Sequence, residues 1–240
     1  SKSSKFSTLK RRLASISVIH KLNGHYLDTK HPIITENLLG IKRVKGTYQK
    51  AKKPILINDL KLIINIINED KNSKNKLENK ALLLVGFAGG FRRSELVSVE
   101  YEDVEFVDEG VKIFVRRSKT DQSGEGMTKG IPYFSNPKYC PVTSLKNLIE
   151  EKKIKSGRIF DMSDKNVSLI IKKYTALAGL DQSKYSGHSL RSGFATVAAE
   201  SGADERSIMA MTGHKNTQMV RRYIREANLF KNNALNKVKL

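Results

Sequence analysis

Hydrophobic residues recur at helical spacing in the first part of the chain. Residues 6–24 predict a basic helix whose apolar positions form one stripe: Leu9, Leu13, Ile16, Ile19 and Leu22. Residues 35–54 add a short helix and then a linker rich in lysine and glycine, closed by Pro54. Because two helices bury little surface alone, we expect residues 1–54 to be the end of a domain.

From residue 57 the pattern is typical of a larger globular unit. Residues 57–69 predict an amphipathic helix, and the more apolar residues 79–91 predict a buried one. Three strand-like segments follow, at 104–107, 111–117 and 130–134. Helical patterns then occupy the remaining segments: 141–153, 164–180, 189–202, 204–213 and 216–230. The expected fold class is mostly α with a small three-stranded antiparallel sheet, formed by a domain over residues 55–240.

The charge of the chain favours a polyanionic partner. Forty-four Lys and Arg residues against 24 Asp and Glu residues leave a net charge of +20. Residues 1–55 hold 13 basic and 2 acidic side chains, more than half of that excess. Binding to nucleic acid is favoured because each neutralised phosphate releases condensed counterions.

Other classes of protein fit the composition poorly. The longest apolar stretch, residues 81–91, is too short to span a bilayer, and no secretory signal opens the chain. The single cysteine, Cys140, excludes an internal disulfide framework and a cysteine-rich zinc module. We therefore expect a protein of a reducing cytoplasm with no membrane partner.

Several cationic side chains, two histidines and a phenol stand out. His188 and Arg191 lie three residues apart at the predicted start of a helix, and His214 follows a glycine. Tyr223 comes nine residues after His214. Upstream, an arginine pair that begins at Arg92 ends the predicted buried helix, and a lysine, Lys119, lies at the tip of the second hairpin.

This set of groups suits attack on a phosphodiester. Arginine forks pair with non-bridging phosphate oxygens and match the charge of a five-coordinate transition state. A phenol with a pKa of about 10 becomes nucleophilic when cations favour its phenolate or a base takes its proton. A lysine on a flexible hairpin is suited to protonate the departing oxygen. Cations in these roles replace the divalent metal ions that most nucleases use.

Five separated sequence elements together resemble the tyrosine recombinase (phage integrase) family. They are "GFRRSEL", "SKT", "HSLR", "GH" and a tyrosine nine residues later, and the resemblance covers roughly residues 57–240. It implies a catalytic domain in which Tyr223 attacks DNA and forms a 3′-phosphotyrosyl bond, without metal, ATP or any other cofactor. The lysine of the hairpin is the implied general acid. The implied catalytic residues are Arg92, Lys119, His188, Arg191, His214 and Tyr223.

The resemblance also predicts the domain organisation and the partners. Residues 1–54 correspond to the last part of a helical core-binding domain plus a linker, and residues 55–240 correspond to the catalytic domain. The implied partner is double-stranded DNA, bound by a homotetramer on paired sites. The implied location is the cytoplasm, for a bacterial or phage protein that is associated with the nucleoid.

Alternatives remain open for individual residues and for the function. Lys129, on the other side of the hairpin, rivals Lys119 as the proton donor, and Arg92 can simply pair with Glu95. The acidic segment 100–110 is compatible with a metal-dependent nuclease. Two alternative functions also remain. One is a type IB-like topoisomerase, which shares the phosphotyrosine step, and the other is a catalytically idle DNA-binding relative, which keeps only the fold.

Overall fold

The computed structural model describes residues 4–47, 51–118, 124–230 and 234–238. The chain forms two compact units, Ser1–Ala51 and Lys52–Leu240. The first unit contains two helices that contact each other, α1 (Phe6–Leu22) and α2 (Pro32–Lys45). No residue of either helix is buried, and Leu22 and Val44 are more than four-fifths exposed. The first unit therefore has no closed core within the described residues.

The second unit is mostly helical and carries one small sheet. Its helices are α3 (Ile57–Glu69), α4 (Lys76–Ala88), α5 (Arg93–Val97), α6 (Pro141–Glu151), α7 (Asp164–Leu177), α8 (His188–Glu200), α9 (Glu205–Thr212) and α10 (Thr217–Ala227). Its strands are β1 (Val104–Val107), β2 (Gly110–Val115) and β3 (Met127–Pro132). The fold class expected from the sequence is confirmed. No helix in the described ranges is long and apolar enough to cross a membrane.

The sheet is antiparallel with the strand order β1-β2-β3. β2 begins at Gly110, where it pairs with Pro132, and β3 begins at Met127, where it pairs with Val115, so both strands start earlier than expected. Alternate residues of β2 point inward, so Val111 and Ile113 are at most 1% exposed. Lys129 pairs with Ile113 and is also only 1% exposed. The sheet therefore places a lysine on its buried face.

Helix α4 is the centre of the main core. Leu82, Leu83 and Leu84 are consecutive, so they point in different directions around the helix, yet each is at most 1% exposed. A helix that is apolar on all sides must be surrounded, and α4 contacts α3, α6, α7 and α8. The predicted buried helix is confirmed. Its C-terminal end leads directly into the arginine pair.

Helices α8, α9 and α10 share a second, smaller core. Its buried residues are Ala195, Ala199, Ile208, Val220 and Tyr223. The small side chains on α8 let α10 approach closely, and α10 contacts both α8 and α9. The tyrosine singled out in the sequence is thus part of this core.

The segment just before α3 is fastened to α8. The backbone N–H of Ile55 donates to the Ser189 carbonyl at 2.9 Å, and the Ile55 side chain is fully buried. This close approach requires Gly193, because a Cβ at that position would overlap the carbonyl oxygen of Ile55. The glycine therefore lets residue 55 lie against the helix that carries Arg191.

Replacing Gly193 with alanine tests this contact. Alanine favours a helix by up to about 1 kcal/mol over glycine, but here its methyl group forces the Ile55 backbone away. We expect a net loss of roughly 1–3 kcal/mol in the free energy of unfolding, measured by urea denaturation. Gly130→Ala is the control, since a Cβ there meets nothing within 4 Å. Equal stability of the two variants would show that the contact imposes no constraint.

Candidate active site

Arg92 immediately precedes α5 and is held by contacts from three segments. The buried Glu95 accepts the Arg92 backbone N–H at 2.9 Å and its Nη1 at 2.5 Å. The guanidinium also donates to the Ser118 hydroxyl at 2.6 Å and to the Gly213 carbonyl at 3.2 Å. Burial acts to raise the pKa of the Glu95 carboxyl, but the hydrogen bonds and charge of Arg92 outweigh it and lower that pKa. The ion pair considered from the sequence exists, and it fixes the direction of Arg92.

Arg191 lies in the first turn of α8 and is only 1% exposed. Its Nη1 donates to the Gly90 carbonyl at 2.8 Å. Its Nη2 is buried and has no hydrogen-bond partner among the described residues. Burial and the charge of Arg92 lower the pKa of Arg191 to about 10, so the group stays protonated at neutral pH. A buried cation with a free donor is costly unless an anion binds it.

Tyr223 and His188 meet at the same place from two helices. Tyr223 lies on α10 and is 7% exposed, and its Oη lies 3.5 Å from Nε2 of His188, the first residue of α8. Burial raises the pKa of the Tyr223 phenol, and the charge of Arg191 opposes this rise only in part. Partial burial of the ring and the charge of Arg191 lower the pKa of His188. At neutral pH the pair is therefore a protonated phenol beside a neutral imidazole.

His214 is presented by the turn that ends α9. Gly213 adopts the left-handed conformation, with φ of 63°, which glycine takes without strain. Thr212 donates its hydroxyl hydrogen to the Ile208 carbonyl at 2.6 Å, so Nδ1 of His214, 2.7 Å from the same hydroxyl oxygen, must be the donor there. Burial and the charges of Arg191 and Arg92 lower the pKa of His214 to about 4. Its Nε2 is thus unprotonated at neutral pH until a negative charge arrives.

The sixth predicted residue, Lys119, lies outside the described residues. The structure therefore brings together Arg92, His188, Arg191, His214 and Tyr223, and their mutual electrostatic effects reflect this proximity. They come from the start of α5, the start of α8, the turn after α9 and the middle of α10. Such a set can surround one anionic group next to a phenol.

Two residues support the site in roles that were not predicted from the sequence. Arg93 donates to the Ser168 hydroxyl of α7 at 3.0 Å and lies against Gly187, where a Cβ would overlap its side chain. Arg93 thus packs against the N-cap residue of α8, directly before His188. Thr212, which orients His214, is the other. The only sequence signal for Thr212 was its helical spacing of four residues from Ile208, which is not specific to a site residue.

The acidic segment 100–110 has structural contacts. Arg116 pairs with Glu100 and, at 2.7 Å, with Asp103, and the Glu102 carboxylate accepts the backbone N–H of Gly157 at 3.1 Å. Within the described parts of the chain, no group of three or more His, Cys, Asp or Glu side chains converges in a way that could hold a metal ion. Glu100 and Asp103 thus hold Arg116 just after β2, and Glu102 holds the loop that follows α6.

Comparison with known proteins decides the family. The model of the phage integrase family matches residues 56–229. The chain belongs to this family. The resemblance to tyrosine recombinases that the five sequence elements predicted is therefore confirmed.

Two relatives of this tyrosine recombinase show the extent of the similarity. The chain is 43% identical over 249 aligned residues to an integrase/recombinase xerD homolog of Selenomonas ruminantium, covering 98% of this chain and 72% of the relative. It is 26% identical to the tyrosine recombinase XerC of Syntrophus aciditrophicus, covering 90% of this chain and 68% of that protein. The chain thus spans about 70% of the length of these relatives.

Solved structures share the fold. The XerH site-specific recombinase bound to difH substrate in a pre-cleavage complex superposes with a TM-score of 0.62 at 17% identity, covering 97% of this chain and 72% of that chain. The Tn1549 transposon integrase in complex with a circular intermediate DNA gives 0.67 at 14% identity, covering 96% and 80%. At these identities the likeness concerns the fold alone.

The depressed pKa of His214 predicts a loss of stability in acid. The folded value is about 4, whereas an unfolded histidine titrates near 6.5. Between these values the unfolded chain binds more protons, so the free energy of unfolding falls as pH drops from about 6.5 toward 4. Urea denaturation at pH 7.5 and 5.0 should show a smaller loss for His214→Gln than for the parent protein. Equal losses would mean that His214 is not held neutral by its surroundings.

Proposed function

We propose that this protein is a site-specific DNA recombinase that cuts and rejoins strands through a 3′-phosphotyrosyl bond on Tyr223. The observation that carries the proposal is the buried Arg191, whose unpaired Nη2 belongs to the same cluster as the Tyr223 phenol and His188. A phosphodiester supplies the negative charge that this cluster lacks. It also supplies an electrophile for the phenol.

The two arginines hold the phosphate in this proposal. Arg191 contributes its free Nη2, and Arg92 contributes a guanidinium whose direction is fixed by Glu95 and Gly213. A phosphate also raises the pKa of His214, because its negative charge offsets the repulsion from the arginines. His214 then gains a proton on Nε2 and becomes a third donor to the phosphate oxygens. Donors fixed in advance stabilise the charge of the transition state.

His188 activates the nucleophile. Its Nε2 lies 3.5 Å from the Tyr223 oxygen, a separation that shortens readily when substrate binds. As the bond between the Tyr223 oxygen and phosphorus forms, the phenol proton passes to His188, which is neutral because its pKa is lowered. The bond between phosphorus and the 5′-oxygen breaks in the same step. Lys119 of the hairpin gives its proton to that oxygen, which leaves as a 5′-hydroxyl.

Attack by a 5′-hydroxyl of another strand reverses these transfers and joins the new strands. The energy of the phosphodiester is kept in the phosphotyrosyl bond, so the reaction requires no ATP. The charge that a divalent ion neutralises in most nucleases is neutralised here by Arg92, Arg191 and the protonated His214. We therefore expect no cofactor.

The first unit fits a role in holding DNA. We assign residues 1–54 to the end of a helical core-binding domain, since 13 of the first 55 residues are basic and only 2 are acidic. Residues 55–240 form the catalytic domain. We propose that the protein acts as a homotetramer on two double-stranded DNA sites, as a bacterial or phage protein of the cytoplasm associated with the nucleoid.

Selection of covalent adducts tests the function. A library of nicked duplexes with random sequence around the nick traps any cleaved strand, because the short fragment beyond the nick diffuses away. We expect covalent protein–DNA adducts that resist SDS and that form equally well in the presence of EDTA. Peptide mapping should place the attached DNA strand on Tyr223. Tyr223→Phe should form no adduct and should bind the selected duplex within about twofold of the parent, since only one hydroxyl is lost.

Tyr133→Phe is the matched control, because this exposed tyrosine directly after β3 lies outside the site. Its adduct yield should equal that of the parent. An adduct on the Tyr223→Phe protein, or a strict need for Mg²⁺, would overturn the proposed mechanism.

A further inference from the structure

Lys129 is a buried lysine that the proposed chemistry does not use. It lies on β3, and its side chain points into the protein with 1% exposure. Its Nζ donates to the Gly89 carbonyl at 2.9 Å and also to the Met211 carbonyl. The same ammonium lies 4.9 Å from the centre of the Phe91 ring. Burial of an ammonium group costs free energy, so a completely enclosed lysine must be stabilised by specific contacts.

The two carbonyls belong to the ends of two helices. Gly89 is the C-cap of α4, and Met211 lies in the last turn of α9. The last four carbonyls of a helix have no partner within the helix, and their partial negative charge favours a cation. Lys129 meets both requirements at once, because its ammonium carries three donors on one atom. The ammonium is therefore a cross-link between two helix ends.

Each helix end leads to a residue of the active site. Gly89 precedes Arg92 by three residues, and Met211 precedes His214 by three residues. Arg92 also donates to the Gly213 carbonyl at 3.2 Å, so the two segments already touch at the site itself. Lys129 joins them a second time, through the Gly89 and Met211 carbonyls. Two contacts fix the orientation of the two segments relative to each other, whereas a single contact would let one segment rotate against the other.

The charges around Lys129 are consistent with this position. Burial lowers the pKa of Lys129 to about 8, and the charges of Arg191 and Arg92 act in the same direction, while Glu95 opposes them. Glu95 therefore faces both Arg92 and Lys129. The ammonium is part of the same electrostatic cluster as the arginines, although two of its three donors bind the carbonyls.

We propose that Lys129 is a positioning residue for strand cleavage, whose ammonium ties the carbonyl of Gly89 to that of Met211 and so fixes Arg92 relative to His214. This inference rests on the proposed function. Lys129 acts through those two side chains and does not touch the reacting atoms. A displacement of about 1 Å between catalytic groups typically costs about 100-fold in rate.

The alternative role for Lys129, as the proton donor to the 5′-oxygen, predicts a different chemical response. A substrate with sulfur in place of the bridging 5′-oxygen releases a thiolate, whose conjugate acid has a pKa of about 8.5, far below that of an alcohol. Such a leaving group departs without a proton. Loss of the general acid is therefore repaired by the sulfur substrate, whereas loss of a positioning residue is not.

The experiment compares Lys129→Met, Lys129→Arg, Lys119→Met and Lys112→Met in single-turnover cleavage of the oxygen and sulfur forms of the selected duplex. Lys129→Met should cleave both forms about 100-fold more slowly, with unchanged affinity for the duplex. Lys129→Arg, which keeps a cation with several donors, should recover at least tenfold of that loss. Lys119→Met should be slow on the oxygen form and near the parent rate on the sulfur form. Lys112→Met removes an exposed lysine of the adjacent strand and should match the parent.

Two results would overturn the positioning role. One is recovery of Lys129→Met on the sulfur substrate, which would make Lys129 the acid. The other is a parent-like rate for Lys129→Met on the oxygen substrate. If the Lys129→Met protein does not fold, the Lys129→Arg protein decides the question. A positioning role requires that its rate be reduced by the same factor on the oxygen and the sulfur substrates. Absence of an adduct from the parent protein itself would contradict the proposed function instead.

Discussion

The active site is organised around a buried positive charge whose hydrogen-bonding capacity is only partly used. Arg191 gives one nitrogen to the Gly90 carbonyl and keeps another without a partner in the described structure, at 1% exposure. Its charge acts on the neighbouring groups in consistent ways. It lowers the pKa of His188 and of His214, and it favours the phenolate of Tyr223 without overcoming the effect of burial. In the proposed function, a phosphate of DNA supplies the negative charge that this cluster lacks.

Helix ends and glycines place this cluster. Arg92, His188 and His214 each lie at a helix start or just after a helix end, so helix packing in the core determines their positions. Gly187 and Gly193 let Arg93 and the segment at residue 55 pack against α8. Each contact is ordinary by itself. Together they hold cationic groups close against their mutual repulsion, which costs stability and prepares the site for an anion.

The sequence was sufficient for the three strands and for most of the helices, although it did not predict α5 as a helix of its own. It also placed the described site residues near helix ends or, for Tyr223, within a helix. Helix periodicity identified α4 as buried because its leucines cover all sides, and the spacing of His188 and Arg191 placed both on one helix start. The predicted ends of the strands were less accurate, because a pairing such as that of Val115 with Met127 depends on the partner strand and not on the local sequence pattern. The sequence could not predict that Lys129 points inward, because its carbonyl partners lie 40 and 82 residues away.

The central claim is that Arg191 is buried for a phosphate and not for the stability of the fold. The free energy of unfolding of Arg191→Met, measured by urea denaturation without DNA, tests it most directly. Removing the buried charge and its repulsion should offset the lost bond to Gly90, so the variant should be at least as stable as the parent while forming no adduct. A loss of about 3–5 kcal/mol, as when a buried ion pair is broken, would contradict the account.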